Sequence, residues 1–228
     1  MSRKGKCIAI FAILALLLAA MTNPAWAGRG NGNGDGNGGN GNKDDDRAPV
    51  ELTETEIAGL EFMREEEKLA RDVYLDLYDV WGLTVFQNIS ESEQKHTDAI
   101  EMLLENYGIE DPVPEDAEDD RGVYADPDLQ ALYLDLMEIG LTSATKGLVV
   151  GATIEEKDIV DIQNKIDSAD QQDIISTYES LMCGSRNHLR AFMQNLGAVG
   201  EPYAPQFLTH EEFDAIVDGS LETDCGEY

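Results

Sequence analysis

The sequence predicts an all-α protein, a four-helix bundle with one long crossover connection and short accessory helices. Three observations predict it. Apolar residues recur at helical spacing from Val50 nearly to the C-terminus, and strand-like alternation is absent. A proline- and acid-rich stretch over 109–127 then divides the helical pattern into two pairs of long segments. An up-down-up-down bundle joined by short turns has no use for such a link, whereas a bundle with one crossover requires it.

The N-terminal region stands apart from this pattern. Arg3, Lys4 and Lys6 precede the apolar run 8–20, and Ala25-Trp26-Ala27 offers an A-x-A cleavage site. Together they read as a secretory signal peptide over 1–27. The apolar run falls short of the roughly 20 residues a membrane span needs, so no stable span is expected after cleavage. Residues 28–49, Gly/Asn-rich and then acidic, offer almost nothing to bury and read as a disordered linker. The helical domain is assigned to 50–220 and a C-terminal tail to 221–228.

Within the domain, Thr53-x-x-Glu56 is a capping box ahead of Ile57, Leu60, Met63, Ala70, Val73, Tyr74 and Leu77. That helix is expected to stop at Trp81-Gly82. A second starts at Thr84, carries Val85, Phe86, Ile89, His96, Ile100 and Leu103 on one side, and ends at Tyr107-Gly108. Pro112, Pro114 and Pro127 break the connection that follows. A short helix is read over Asp128–Ile139, and Thr142 or Ser143 caps a third long helix reaching about Ile166. The fourth runs from about Ala169 to Leu196, closed by Gly197. Thr209-x-x-Glu212 caps a last short helix through Val217.

The chain carries 46 acidic against 16 basic residues, a formal net charge of −30. Such a surface excludes nucleic acid as a partner, because phosphate binding depends on Lys and Arg. It suits solubility in an exported or salty setting and attracts cations. The expected location is secreted, periplasmic or on the exterior of the cell envelope. Outside the signal peptide the cysteines are Cys183 and Cys225, enough for one disulfide in an oxidising compartment.

The chemistry sits in two short patterns. Helix one contains Glu65-Glu66-Glu67, and helix two contains Glu93-x-x-His96, whose spacing puts both side chains on one helix face. Ser90 three residues before Glu93 offers an ordinary capping box as the bland account of that glutamate. The second half repeats the first in weaker form. Glu66-Glu67-Lys68 parallels Glu155-Glu156-Lys157, and Ser92-Glu93-Gln94-Lys95-His96 parallels Gly184-Ser185-Arg186-Asn187-His188. On a helical wheel Glu66 lies nearest the centre of the apolar stripe with Glu67 on its flank; Glu155 lies in the stripe with Glu156 at its edge. A carboxylate in an apolar stripe is costly unless it is paired or bound to metal.

Glu67-x-x-Ala70-Arg71-x-x-Tyr74 followed by Glu93-x-x-His96 resembles the first two helices of rubrerythrin-type proteins of the ferritin-like superfamily. More closely, MREEEKLARDVYLDLY, SEQKH, GATIEEKDI and GSRNHLRAF resemble an uncharacterised ferritin-like family, domain of unknown function 2202, over about residues 52–217. The resemblance implies a dinuclear iron or manganese centre built from Glu67, Glu93, His96, Glu156 and His188, with Glu66 and Glu155 as the alternatives beside them. It implies ferrous-iron oxidation or peroxide consumption, a diiron-type oxidoreductase activity. It brings no rubredoxin-like C-x-x-C module for electron delivery. One departure is plain: Ser185 stands three before His188, where a full motif places Glu, leaving the site one carboxylate short. The competing expectation is a metal-free helical module for binding or envelope support, its histidines hydrogen-bonded to its glutamates. Metal ions are the expected partners, and the sequence leaves room for a homodimer.

Overall fold

The computed structural model of the chain describes residues 51–113, 120–223 and 225–226. The expected signal peptide and the whole of the expected linker, together with 114–119 of the connection, lie outside the described residues. The elements are α1 (Glu54–Trp81), α2 (Thr84–Tyr107), α3 (Pro127–Gly140), α4 (Ala144–Ser168), α5 (Gln172–Val199) and α6 (His210–Val217), and no strand occurs among the described residues.

Local chemistry sets the boundaries. The Thr53 side chain accepts from Glu56 N while the Glu56 carboxylate accepts from Thr53 N at 2.9 Å, so two orphan donors of the first turn are satisfied reciprocally. Thr209 and Glu212 repeat the arrangement at α6. Gly82 and Gly108 close α1 and α2 in the left-handed region, with φ of 65° and 67°. The capping account of Glu93 does not hold. Helix α2 begins at Thr84, and Ser90 donates from mid-helix to Gln87 O at 2.8 Å. Helix α5 runs past the expected stop at Gly197, which stays helical; Gly200, at φ 72°, takes the left-handed position.

The antiparallel hairpins α1–α2 and α4–α5 face each other, α1 on α4 and α2 on α5. Paired positions give the directions. Gly59 lies beside Lys165, Glu66 beside Lys157 and Tyr74 beside Glu155, so α4 runs antiparallel to α1. Arg64 meets Thr97 and Arg71 meets Gln94, so α2 does too. Helices α2 and α4 are therefore parallel to each other, and the chain must travel back along the bundle between them. The connection that contains α3 does this, as the length of 109–127 requires.

The connection leaves its mark on α1. From Met63 to Tyr74 every residue is buried, polar ones included. Arg64 donates to Asp111, Lys68 to the Asp120 carbonyl, and Asp72 accepts from Gly122 N and Tyr124 Oη. A helix packed on two sides by neighbours and on a third by its own crossover has no solvated face in its middle. Below the centre of the bundle Tyr74, Phe86 and Phe192 pack as an aromatic trio, with ring centroids 5.3–6.3 Å apart.

Candidate metal centre

The three consecutive glutamates of α1 point three ways, about 100° apart around the helix. Glu65 faces the crossover and accepts from Ala125 N and from Asp126 N at 2.9 Å. Glu66 faces α4 and meets Lys157 Nζ at 2.7 Å. Burial works against the Lys157 ammonium, but Glu66 and Asp161 outweigh it and hold its pKa above the ordinary value. Glu67 faces the bundle axis, where it meets His96 Nδ1 at 3.2 Å. The structure thus brings Glu67 into the cluster and gives Glu66 to a salt bridge.

Glu93 is the hub. One of its oxygens lies 2.8 Å from His96 Nδ1 and the other 2.8 Å from His188 Nδ1. His188 Nδ1 also lies 3.4 Å from Glu155. Two groups of three potential ligands result, Glu67–Glu93–His96 and Glu93–Glu155–His188, each with its ligand atoms within 4.8 Å of one another and all residues buried. They share Glu93. The other oxygen of Glu155 accepts from Tyr74 Oη at 2.5 Å, which fixes that carboxylate from α1. His96 comes close to the α5 backbone because residue 184 is glycine: a Cβ there would fall 2.6 Å from His96 Nε2.

The expectation for α4 needs correction. Glu155, not Glu156, joins the cluster. Glu156 turns the other way and accepts from Tyr203 Oη at 2.5 Å and from the backbone N–H groups of Gln206, Phe207 and Leu208 at 2.9–3.1 Å. It anchors the segment between α5 and α6, whose unpaired amides need an acceptor.

The charges are unbalanced. Glu67, Glu93, Glu155 and Asp158 are all buried around two imidazoles. Burial pushes the Glu67 carboxyl up to about 7, against the pull of His96. It raises Glu155 too, with Glu93 adding to the effect. Glu93 alone goes down, because His188 and His96 flank it and overcome its burial. Burial opposes the His188 imidazolium, yet Glu93 and Glu155 raise it to about 9. Each shift but that of Glu93 favours the more positive form, so the cluster favours additional positive charge.

Hydrogen bonding is incomplete in the same place. Among the described residues, the buried side-chain atoms without a hydrogen-bond partner are Glu66 Oε2, Glu67 Oε1, Glu93 Oε2, Asp158 Oδ1, His188 Nδ1 and Tyr178 Oη. All but the last belong to the cluster or its immediate neighbours. Glu93 Oε2 and His188 Nδ1 are orphaned although each has a charged atom 2.8 Å away, because the geometry is wrong for a hydrogen bond. Oxygens and imidazole nitrogens that crowd together without bonding to one another fit the donor set of a transition-metal site.

Asp158 is a further buried carboxylate beside the cluster, beyond those expected from the sequence. It follows Glu155 by three residues, the spacing that made Glu93 and His96 conspicuous. Its Oδ2 accepts from Ser185 Oγ, which donates across from α5. The disulfide Cys183–Cys225 closes two residues before Ser185, and Glu222 meets Arg186 and Arg190 at 2.5 and 2.9 Å. The segment read as a tail is therefore bonded to α5. No helix among the described residues is long and apolar enough to cross a membrane.

A family model described as an uncharacterized protein domain, DUF2202, matches residues 56–220. The chain is 50% identical over 171 residues to the uncharacterized protein MJ0754 of Methanocaldococcus jannaschii, a match covering 75% of this chain and 91% of that one. The crystal structure of the hypothetical protein MJ0754 superposes with a TM-score of 0.73 at 49% identity, over 77% of this chain and 98% of the other.

Proposed function

The chain belongs to the DUF2202 family, and from the site its helices build we propose that it is a ferritin-like metal-binding protein. The centre we assign is dinuclear, of iron or manganese, held by Glu67, Glu93, His96, Glu155 and His188. The observation that carries this reading is Glu93, whose two oxygens serve two imidazoles and two ligand groups at once. A carboxylate so placed suits two cations side by side, and the mixed oxygen–imidazole set suits iron or manganese.

A redox-active pair of ions supplies electron exchange with dioxygen or peroxide, so ferrous-iron oxidation or peroxide consumption is the activity we assign. The protein's own contribution is separable. Tyr74 Oη holds one oxygen of Glu155 and leaves the other beside His188. The ring of Tyr74 is itself buried and packed against Phe86 and Phe192, which fixes the hydroxyl that holds Glu155. The raised carboxyl of Glu67 and the raised imidazoles make proton release the companion of cation uptake.

Metal analysis of protein purified without chelator tests the reading. We expect iron or manganese in the wild type, or uptake on loading. Added metal should raise the melting temperature, and His96→Ala should remove that rise. Protein that neither contains metal nor responds to it would sink the proposal. It would favour a metal-free module, a reading the 3.2 Å hydrogen bond between His96 and Glu67 also suits.

We also place the protein outside the cytoplasm, supported by the signal-like sequence at 1–27 and the disulfide between Cys183 and Cys225. The mass of protein recovered from its host should show cleavage after Ala27.

A further inference from the structure

We propose that Asp158 is the carboxylate that completes the centre, supplied by α4 in place of the glutamate that α5 lacks at Ser185. The proposal rests on the metal reading above and names the ligand that decides whether the second cation is held.

Four observations carry it. Asp158 is 5% exposed and its Oδ1 has no hydrogen-bond partner. A buried orphan carboxylate oxygen is costly unless something positive meets it. Its other oxygen, Oδ2, is held by Ser185 Oγ, and Ser185 is also tied to Leu181 O at 3.0 Å. Residue 185 thus fixes a carboxylate from the facing helix rather than supplying one. Third, Asp158 sits one turn from Glu155 on α4, and Ser185 one turn from His188 on α5. The pair meets at the level where a glutamate at 185 would stand. Finally, Asp158 lies within the field of Glu67, Glu93 and Glu155. Among the described residues no lysine or arginine pairs with Asp158, whose bonded partner is the neutral Ser185 hydroxyl.

The centre that results is asymmetric. Helix α1 gives one carboxylate, α2 a carboxylate and an imidazole, α4 two carboxylates and α5 one imidazole. Ser185 is a positioning residue, acting through Asp158.

Asp158→Asn tests this cleanly. The amide oxygen still accepts from Ser185 Oγ, so the packing contact survives while the anionic ligand is lost. Manganese(II) is titrated into wild type and variant under anaerobic conditions and followed by electron paramagnetic resonance and by melting temperature. We expect wild type to show an exchange-coupled pair. Asp158→Asn should bind its second equivalent roughly tenfold or more weakly and show the signal of an isolated ion. Its metal-free melting temperature should not fall. Ser185→Ala, which keeps the carboxylate but frees its Oδ2, should keep the coupled pair while binding the second equivalent more weakly than wild type and more tightly than Asp158→Asn, and Ser185→Glu placed on Asp158→Asn should restore it. A variant Asp158→Asn that binds the same coupled pair with wild-type affinity overturns this proposal alone. A wild type that takes up no metal overturns the metal reading and this proposal with it.

Discussion

Adjacent carboxylates in this protein have unrelated tasks, and single substitutions should separate them. Glu67→Gln and Glu155→Gln should abolish or strongly weaken metal uptake, since each removes a charged atom from a ligand group. Glu66→Gln should leave uptake intact and cost about 1–3 kcal/mol, because the ammonium of Lys157 loses a buried partner but keeps Asp161. Glu156→Gln should also spare the metal while loosening residues 203–208, visible as faster amide exchange at Gln206, Phe207 and Leu208. If Glu156→Gln abolished uptake and Glu155→Gln did not, the assignment on α4 would be reversed. Glycine gives a second test. Alanine in place of a helical glycine ordinarily stabilises by about 1 kcal/mol. Gly197→Ala, with nothing within 4 Å of the new Cβ, should do so, whereas Gly184→Ala drives a methyl against His96 and should cost metal affinity. The sequence made Glu93, His96 and His188 legible, because i, i+3 spacing and a repeated half-motif need no knowledge of the fold. It left Glu66 against Glu67 and Glu155 against Glu156 open for a physical reason. A helical wheel assumes one buried stripe and one wet face, but Lys157 of α4 covers the face of α1 that carries Glu66, the crossover covers the face that carries Glu65, and the segment 203–208 covers the face of α4 that carries Glu156. Both members of each pair are therefore buried. Asp158 had a signal, the Glu155-x-x-Asp158 spacing, that goes unseen when histidine is the marker.

At the scale of elements, the helices were readable almost to the residue because their ends carry their own chemistry. Thr53–Glu56 and Thr209–Glu212 announce their helices, and Gly82 and Gly108 end theirs. The end of α5 lies three residues beyond the expected glycine because two glycines compete there. Nothing local distinguishes Gly197 from Gly200; only the backbone turn at 200 does. The attachment of the C-terminal segment to α5 is illegible in the sequence for the opposite reason. Its partners, Arg186, Asn187 and Arg190, lie more than thirty residues away, so no local pattern reports them. Of the bonds that hold it, two can be tested separately: a disulfide with a sequence separation of 42 and the ion pairing of the Glu222 carboxylate. Loop closure of that size is worth at most about 4 kcal/mol, so Cys225→Ser or reduction should lower the melting temperature by several degrees. The second bond depends on pH. Hydrogen bonding from Arg186 lowers the Glu222 carboxyl from 4.5 to about 2, despite its partial burial, and Arg190 adds to the effect. A carboxyl lowered by folding stabilises fully above its unfolded value and loses that contribution as pH falls through its folded value. In the Cys225→Ser background the segment should therefore stay protected from exchange above about pH 4.5 and open progressively toward about pH 2. Glu222→Gln should leave it weakly protected at every pH, and a segment equally protected in that variant would show that the arginine clamp contributes nothing.

The whole molecule sets a problem for any test of metal binding, because a chain with net charge −30 gathers cations everywhere. Diffuse attraction and a built centre differ in physics, and so in what they predict. Surface carboxylates repel one another over a screening length of about 10 Å at 0.1 M salt, and any added salt relieves that strain gradually. A buried centre instead binds a fixed number of ions, and its stabilisation grows with the logarithm of free metal above the dissociation constant. Sodium chloride should therefore raise the melting temperature smoothly and equally in wild type and in a His96→Ala/His188→Ala variant. Manganese at constant ionic strength should give wild type a further rise, beginning near stoichiometric addition, and the variant none. The substitutions lie at the centre of the bundle, where two ends of the fold are already tied by unrelated contacts: the aromatic trio on one side, and the paired Tyr107 and Asp173 on the other. The variant's metal-free fold should persist, and its intact sodium response serves as the check that it has. An identical manganese response in both proteins would assign the effect to surface charge and remove the centre from the account.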